Sequence, residues 1–147
     1  MQNKIEIKKG DNRYRQSIVT MLQSEKLPVE DLPADLGNFL VAWNNDHVVA
    51  TVGFEQYENS ALLRSLVVGA DYRNQHIADS LIRQLERNAA DSGIRNIYLL
   101  TETAVSYFEK KGYEKISRES FPDTIKQSSE FKYTCPKTAV AMKKQII

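Results

Sequence analysis

One stretch of the sequence combines residue types and spacing that suit the binding of a phosphate anion. The apolar run at 61–69, ALLRSLVVG, predicts a buried strand, and a turn at 70–74 leads into a helix predicted over 75–92. A helix that begins directly beyond the end of a strand presents its unpaired backbone N–H groups and the positive end of its dipole there. Phosphate groups bind readily at such helix N-termini. Residues 70–78 are therefore a candidate phosphate-binding loop, and the alternative is an ordinary connection between a strand and a helix.

A second candidate is Arg64, a charged residue inside the apolar run at 61–69. If its side chain faces a ligand cleft, the guanidinium could bind a substrate carboxylate through two parallel hydrogen bonds. If it faces the other side of the sheet, Arg64 would be the partner in a surface ion pair. The sequence leaves both alternatives open.

Metal, disulfide and thiol chemistry have little support in the sequence. Cys135 is the only cysteine, so no intramolecular disulfide can form. The two histidines, His47 and His76, are not arranged in a cluster with the spacing of a zinc site. A buried Cys135 would behave as a small apolar residue. We therefore expect a function that needs no protein-bound metal.

The elements that position these residues follow from hydrophobic periodicity. Strands are predicted where apolar and polar residues alternate or where β-forming residues run together, and helices where apolar residues recur every three or four positions. The predicted strands are 4–8, 39–43, 47–57, 61–69, 94–101, 113–117 and 137–142, with a hairpin turn at Asn44-Asn45-Asp46. The predicted helices are one that ends before Pro28 and carries Tyr14, Ile18, Met21 and Leu22 on one face, then 75–92 and 103–111.

Length and composition favour one globular domain over 1–147. The chain has 147 residues, of which 41% are hydrophobic, enough for one core of average size. Twenty Lys and Arg residues balance nineteen Asp and Glu residues along the chain, which does not favour a nucleic-acid binder. No apolar stretch reaches the roughly 18 residues that a membrane span needs, and the start of the chain lacks the apolar middle of a signal peptide. We expect a cytoplasmic protein that binds neither nucleic acid nor membrane.

Two motifs about 30 residues apart resemble those of the GNAT superfamily of acyl-CoA N-acyltransferases. The family's pyrophosphate-binding signature, Arg/Gln-x-x-Gly-x-Gly/Ala, reads here Arg73-Asn74-Gln75-His76-Ile77-Ala78. The segment at 104–113, AVSYFEKKGY, resembles the family's A-x-x-x-[FY]-E-K-x-G-[FY]. His76 is a departure, because the family usually has a glycine there, whose missing side chain lets the backbone approach the pyrophosphate.

The resemblance, which extends over about 4–118, implies a fold and a co-substrate. The fold is of the α+β class, with helices flanking a mixed, mostly antiparallel sheet in which strands 61–69 and 94–101 splay apart in a V shape. The co-substrate is acetyl-CoA, whose pantetheine arm would pair with the main chain at 66–68 and whose pyrophosphate would lie on the loop at 73–78. The implied CoA-binding residues are Leu66, Val67, Val68, Arg73, Asn74, Gln75, His76, Ile77, Ala78 and Phe108.

The chemistry that the resemblance implies is direct attack of an amine on the acetyl thioester. An ammonium group has no lone pair, so a base must first take its proton. Glu102 is the candidate base, since it follows strand 94–101 at the end where open sheets place ligands; its alternative role is to stabilise the next helix N-terminus. Glu55 is a weaker candidate base. Tyr107 is a candidate acid for the departing thiolate, although the family's tyrosine position is occupied by Phe108.

A narrower resemblance, from Arg64 onward, is to the small acetyltransferases of bacterial arsenic-resistance operons and, more distantly, to the acetyltransferase domain of N-acetylglutamate synthases. It is carried by LRSLVV, YLLTETAVSYFEKKGY and the tail at 121–140. It implies a small, amino-acid-like amine as acceptor. Arg64, Lys132 and Lys137 would suit the carboxylate of such a ligand. The alternative is that the two lysines are solvated and bind no ligand. An acyl-CoA-binding regulatory module and a protein acetyltransferase stay open as alternatives. Many members dimerise, so a homodimer is a candidate assembly.

Overall fold

The structure is a computed structural model, and it describes residues 5–27, 29, 32–44, 47–74, 76–128 and 138–147. These residues form seven strands, four α-helices and short 3₁₀ turns. The strands are β1 (Ile5–Lys9), β2 (Phe39–Asn44), β3 (His47–Tyr57), β4 (Ser60–Val68), β5 (Asn96–Thr101), β6 (Glu114–Ile116) and β7 (Val140–Gln145). The α-helices are α1 (Arg15–Ser24), α2 (Ile77–Asp91), α3 (Val105–Lys110) and α4 (Asp123–Lys126), and the 3₁₀ turns are Asn12–Tyr14, Ala70–Tyr72 and Arg118–Ser120.

The strands form one mixed sheet in the order β1-β2-β3-β4-β5-β7-β6. The pairs β1–β2, β2–β3, β5–β7 and β6–β7 are antiparallel, and two residues join β3 to β4, a connection too short for parallel neighbours. β4 and β5 are parallel over three residue pairs, Ser60–Leu62 opposite Asn96–Tyr98. The expected fold class, a mixed and mostly antiparallel sheet flanked by helices, is confirmed.

The chain divides into two compact units, of which the first comprises Met1–Phe54 and Ser65–Arg87. In this unit α1 packs its apolar face against β2 and the end of β4. Tyr14, Ile18 and Leu22 are buried there, as the periodicity of α1 predicts, and Met21 is partly buried against them. The buried core residues of the unit that pack in this cluster are Tyr14, Ile18, Leu22, Leu36, Phe39, Val41 and Val67.

The second unit comprises Glu55–Arg64 and Asn88–Ile147. Its core cluster contains Leu62, Tyr98, Phe121, Ile125 and Ala141. The rings of Tyr98 and Phe121 meet edge to face with centroids 5.1 Å apart. No helix is predicted over 118–128 from the sequence, yet a 3₁₀ turn and α4 form there. Four helical residues are too few to show a periodic pattern, and burial of Phe121 and Ile125 is what holds them.

Two predicted helix ends are confirmed in detail. After α2, Gly93 has φ 84°, and its N–H and that of Ile94 donate to the carbonyls of Ala90 and Ala89. After α3, Gly112 has φ 95°, and its N–H and that of Tyr113 donate to the carbonyls of Glu109 and Phe108. This arrangement satisfies the last carbonyls of a helix and requires a left-handed residue, which glycine provides without strain.

The last strand is shifted from its predicted position. The apolar run predicts 137–142, whereas β7 spans Val140–Gln145 and pairs along the whole of β5. The prediction was wrong at the C-terminal end because lysines continue the strand. Their apolar stems stay at the sheet while Lys143 Nζ lies 5.8 Å from the Tyr98 ring and Lys144 Nζ lies 5.6 Å from the Tyr113 ring.

Candidate functional site

The loop between β4 and α2 has an unusual backbone. Five non-glycine residues in the described part of the chain have positive φ, and three of them, Ser65 (64°), Asn74 (64°) and His76 (61°), lie between the middle of β4 and the start of α2. Such residues cost free energy and persist mainly at functional sites. Asparagine and histidine adopt this conformation more readily than most residues, which accounts for their presence at 74 and 76.

His76 is the cap residue of α2. Its carbonyl oxygen accepts the first helical hydrogen bond, from Ser80 N–H at 3.1 Å. A residue with positive φ followed by a helix turns consecutive backbone N–H groups toward one side, which makes a concave site for an anion. The structure thus gives a second reason for the family's glycine at this position, since glycine has positive φ without strain.

The side chain of His76 is turned toward its own helix. Nδ1 lies 3.1 Å from Asp79 Oδ2, and the imidazole is 87% exposed. The expected binding of CoA by His76 stays a prediction. The neighbouring helix residues differ in exposure, with Ile77 buried and Ala78 half-buried. Ile77 and Ala78 therefore offer backbone more than side-chain surface to a ligand.

Arg73 is the cation of the loop and has two partners. Its Nε donates to the carbonyl oxygen of Val68 at 3.1 Å, at the end of β4. Its Nη2 donates to Glu25 Oε1 at 2.6 Å, directly after the end of α1. Glu25 is not predictable from the sequence as a site residue, because nothing in its residue type or spacing relates it to the loop.

The end of β4 and the 3₁₀ turn that follows are anchored in the first unit. Gly69 N–H donates to the Val49 carbonyl at 2.8 Å, and Asn44 Nδ2 donates to the Tyr72 hydroxyl at 2.9 Å. Val67 is buried in the core, whereas Leu66 and Val68 are half-buried. The three residues lie directly before the loop as expected, and their main-chain contacts with a cofactor stay a prediction.

Arg64 belongs to a buried polar cluster in the second unit. Its side chain is 1% exposed, and Nη1 donates to Glu55 Oε2 at 2.7 Å. The hydroxyl of Tyr57 donates to the other oxygen, Oε1, at 2.6 Å. Arg64 thus forms an ion pair, as one alternative expected, but the pair is buried and not at the surface. Substrate binding by Arg64 stays a prediction. Glu55 and Tyr57 are two residues apart on one strand, so they point to one face.

Glu102 follows β5 directly, as expected, and is exposed. Its Oε1 accepts a hydrogen bond from the Thr138 hydroxyl at 2.7 Å. The N–H of Ala104, the residue before α3, donates to Thr101 Oγ1 at 3.0 Å. The role of Glu102 as a base and its alternative role as stabiliser of the helix N-terminus both stay predictions.

Tyr107 and Phe108 lie side by side on α3, with ring centroids 5.3 Å apart. Lys111 Nζ lies 5.4 Å from the centroid of the half-buried Tyr107 ring. Phe108 is 3% exposed and also packs on Tyr113, with centroids 5.4 Å apart. The structure therefore makes Phe108 a core residue of the second unit, and its contact with CoA stays a prediction.

Burial raises the pKa of one phenol that the sequence analysis did not single out. Tyr98 on β5 is 6% exposed, and the loss of hydration disfavours its phenolate, so its pKa lies above the ordinary value. Tyr98 therefore stays neutral at physiological pH.

Several predicted residues lie outside the described part of the chain, namely Gln75, Lys132, Cys135 and Lys137, as do Asn45 and Asp46 of the hairpin turn. Among the residues that the structure does describe, no group of three or more His, Cys, Asp or Glu side chains is placed to hold a metal ion. None of the described helices combines the length and the apolar character that a membrane span needs.

The comparisons with known proteins concern both sequence and fold. A sequence profile of the acetyltransferase (GNAT) domain matches residues 35–115. An amino-acid acetyltransferase of Mannheimia succiniciproducens is 27% identical over 95 residues, which cover 63% of this chain and 22% of that protein. The chain thus spans about a fifth of the length of this relative.

Solved structures share the fold. N-acetylglutamate synthase from Neisseria gonorrhoeae, complexed with coenzyme A and L-arginine, superposes with a TM-score of 0.83 at 11% identity, over 98% of this chain and 34% of that one. A GNAT-family acetyltransferase from Staphylococcus aureus gives 0.79 at 21% identity, over 98% and 100%. Proteins of this family use acetyl-CoA. The chain belongs to the GNAT acetyltransferase family.

Proposed function

We propose that this chain is an acetyl-CoA-dependent N-acetyltransferase, one domain over 1–147, that acetylates the amine of a small, amino-acid-like molecule. The observation that carries the proposal is the loop between β4 and α2. There, Asn74 and His76 have positive φ at the start of a 15-residue helix, and the Arg73 guanidinium is held at the end of the neighbouring strand. This is the arrangement that binds phosphate groups through backbone N–H groups and one cation.

The proposed roles in CoA binding follow from these positions. The N–H groups of the first turn of α2 and the guanidinium of Arg73 would hold the pyrophosphate. The main chain of Leu66, Val67 and Val68 would pair with the pantetheine arm. Bound acetyl-CoA supplies an activated acetyl group as a thioester.

The proposed chemistry needs a base and tolerates the absence of an acid. Glu102 is the proposed base, because its carboxylate is exposed at the end of β5 and can accept a proton from an incoming ammonium. Tyr107 is the proposed donor to the departing thiolate. Since a CoA thiolate is a tolerable leaving group near neutral pH, we expect the loss of the Tyr107 hydroxyl to lower turnover only modestly.

The acceptor is proposed from the relatives. The Mannheimia protein is named an amino-acid acetyltransferase, and the Neisseria structure is an N-acetylglutamate synthase. An α-amino acid has both the amine that attacks and a carboxylate that Arg64 could recognise. The resemblance to the enzymes of arsenic-resistance operons points in the same direction, toward small acids with an amine. We further propose a cytoplasmic enzyme and, as its assembly, a homodimer.

The test is release of CoA thiol from acetyl-CoA in the presence of amino acids, amino-acid analogues, polyamines and a basic peptide. Binding of CoA is followed in parallel by calorimetry. The proposal predicts turnover with at least one small amine that carries a carboxylate, and none with the peptide. CoA binding without turnover on any acceptor would contradict the enzymatic proposal.

A second candidate function is an acyl-CoA-binding regulatory module. It is favoured by Phe108, a buried residue at the position of the family's tyrosine, and by His76 at the position of its glycine. Such a module would bind CoA but release no thiol with any acceptor. The same experiment therefore separates the two functions.

A further inference from the structure

The Arg73 guanidinium is already paired with a carboxylate of this chain. Nη2 donates to Glu25 Oε1 at 2.6 Å, while Nε donates to the Val68 carbonyl at 3.1 Å. Both charged side chains are about half exposed, 51% for Arg73 and 42% for Glu25. A pyrophosphate that reaches Arg73 therefore meets a negative charge that is within hydrogen-bond distance of the same nitrogen.

Glu25 lies at the end of α1 and not in the loop that carries Arg73. It is the residue after α1, where Lys26 has φ 57° and the N–H groups of Lys26 and Leu27 donate to the carbonyls of Gln23 and Leu22. This is a well-formed helix end, so the backbone that carries Glu25 is fixed while its side chain projects to Arg73. Asp79, the partner of His76, lies instead within α2 and belongs to the loop's own helix.

We propose that Glu25 is an affinity-determining residue for CoA, which occupies Arg73 in the free protein and must yield it to the pyrophosphate. The inference rests on the proposed function. Binding of CoA is then an exchange of one anion for another at Arg73. Removal of the Glu25 charge tightens CoA binding, because the ion pair with Arg73 no longer has to be broken and the Glu25 carboxylate no longer repels the phosphates.

The effect is bounded by what an exposed ion pair contributes. Pairs with this degree of exposure contribute up to about 1 kcal/mol, which corresponds to a factor of roughly five in affinity. We therefore expect Glu25→Gln to lower the Kd for CoA about threefold to fivefold. The gain should shrink as the salt concentration rises, since exposed charges are screened.

The test is a double-mutant cycle on CoA affinity, measured by calorimetry on wild type, Glu25→Gln, Arg73→Gln and the double variant. If Glu25 acts through Arg73, Glu25→Gln changes the Kd by less than about 1.6-fold in the Arg73→Gln background, which is the additivity limit. Glu6→Gln is the matched control, because it removes an exposed carboxylate from β1 in the same unit and should leave the Kd unchanged.

A second probe separates the pyrophosphate from the rest of the ligand. Pantetheine lacks phosphate groups, so its affinity should be equal for wild type and Glu25→Gln. The proposal is overturned if Glu25→Gln leaves the CoA Kd unchanged or weakens binding, as a positioning role for Glu25 would require. It is also overturned if the gain persists in the Arg73→Gln background. Failure of the wild type to bind CoA would overturn the proposed function instead.

Discussion

Arg64 Nη1 and Glu55 Oε2 lie 2.7 Å apart in an ion pair that buries the arginine side chain almost completely. Tyr57 donates its hydroxyl to the other carboxylate oxygen. Both oxygens of Glu55 thus accept hydrogen bonds from within the protein, which makes Glu55 a poor candidate for the base that accepts a proton from an amine. The pair also places a positive charge where the apolar run of β4 alone predicts hydrophobic packing.

Removing one partner of this pair should lower the free energy of unfolding more than replacing both partners does. Glu55→Leu leaves the buried guanidinium without its counter-charge, and we expect a loss of about 3 kcal/mol, the low end for buried pairs because Glu55 is still 19% exposed. The double variant Glu55→Leu with Arg64→Met should recover a large part of that loss. Urea unfolding measures both. A double variant no more stable than Glu55→Leu would show that the unpaired charge of Arg64 is not the cause of the lost stability.

The left-handed backbone at His76 should cost stability. His76→Gly and His76→Ala both remove the contact with Asp79, but only glycine adopts φ 61° without strain. We expect the glycine variant to be more stable than the alanine variant by about 1 kcal/mol. Thermal unfolding of the two variants provides the comparison. Equal stabilities would mean that position 76 does not hold this conformation in solution.

Gly53 leaves room for the ring of Phe39. The two residues are paired across β3 and β2, and a Cβ at Gly53 would lie 2.5 Å from Phe39 Cγ. Because the ring is buried and rigid, Gly53→Ala should destabilise the chain by about 1–3 kcal/mol, as overpacking does. In a Phe39→Leu background the same change should cost less. Urea unfolding of the four proteins tests this, and an equal cost in both backgrounds would exclude the ring as the cause.

Long apolar runs and helices with a clear period could be predicted from the sequence. β3 has its predicted bounds of 47–57, because it is a run rich in β-forming residues, of which 49–54 are all buried. The helix α1 buries the face that its apolar residues define, because burial repeats with the period of the helix. β7 and α4 could not be predicted so closely. Lysine stems continue β7 beyond its apolar run, and α4 depends on tertiary burial of Phe121 and Ile125.

The candidate site was predictable only where residues are close in sequence. The loop at 73–78 carries a local motif, so its place at the start of α2 follows from the strand and helix around it. Glu25 and Arg73 are 48 residues apart, and Arg64 and Glu55 meet because β3 and β4 are neighbours in the sheet. Such contacts depend on the tertiary fold. Ser65 has φ 64° although serine gives no indication of positive φ.

Glu102 should affect the chemical step without affecting CoA binding. Glu102→Gln retains a similar shape but cannot take a proton, so we expect kcat to fall by about 10²-fold to 10⁴-fold. The CoA Kd should be unchanged. Glu119→Gln, an exposed glutamate in the same unit, is the control for loss of charge. A normal kcat in Glu102→Gln would assign the base to another group.

The central claim is that this chain moves an acetyl group from acetyl-CoA to the amine of a small, amino-acid-like molecule. The most direct measurement is mass spectrometry of the products formed from isotope-labelled acetyl-CoA and a mixture of amino acids. We predict one N-acetylated amino acid that carries the label, in amounts equal to the free CoA released. Binding of CoA without any labelled amine, or release of CoA as labelled acetate only, would contradict the claim.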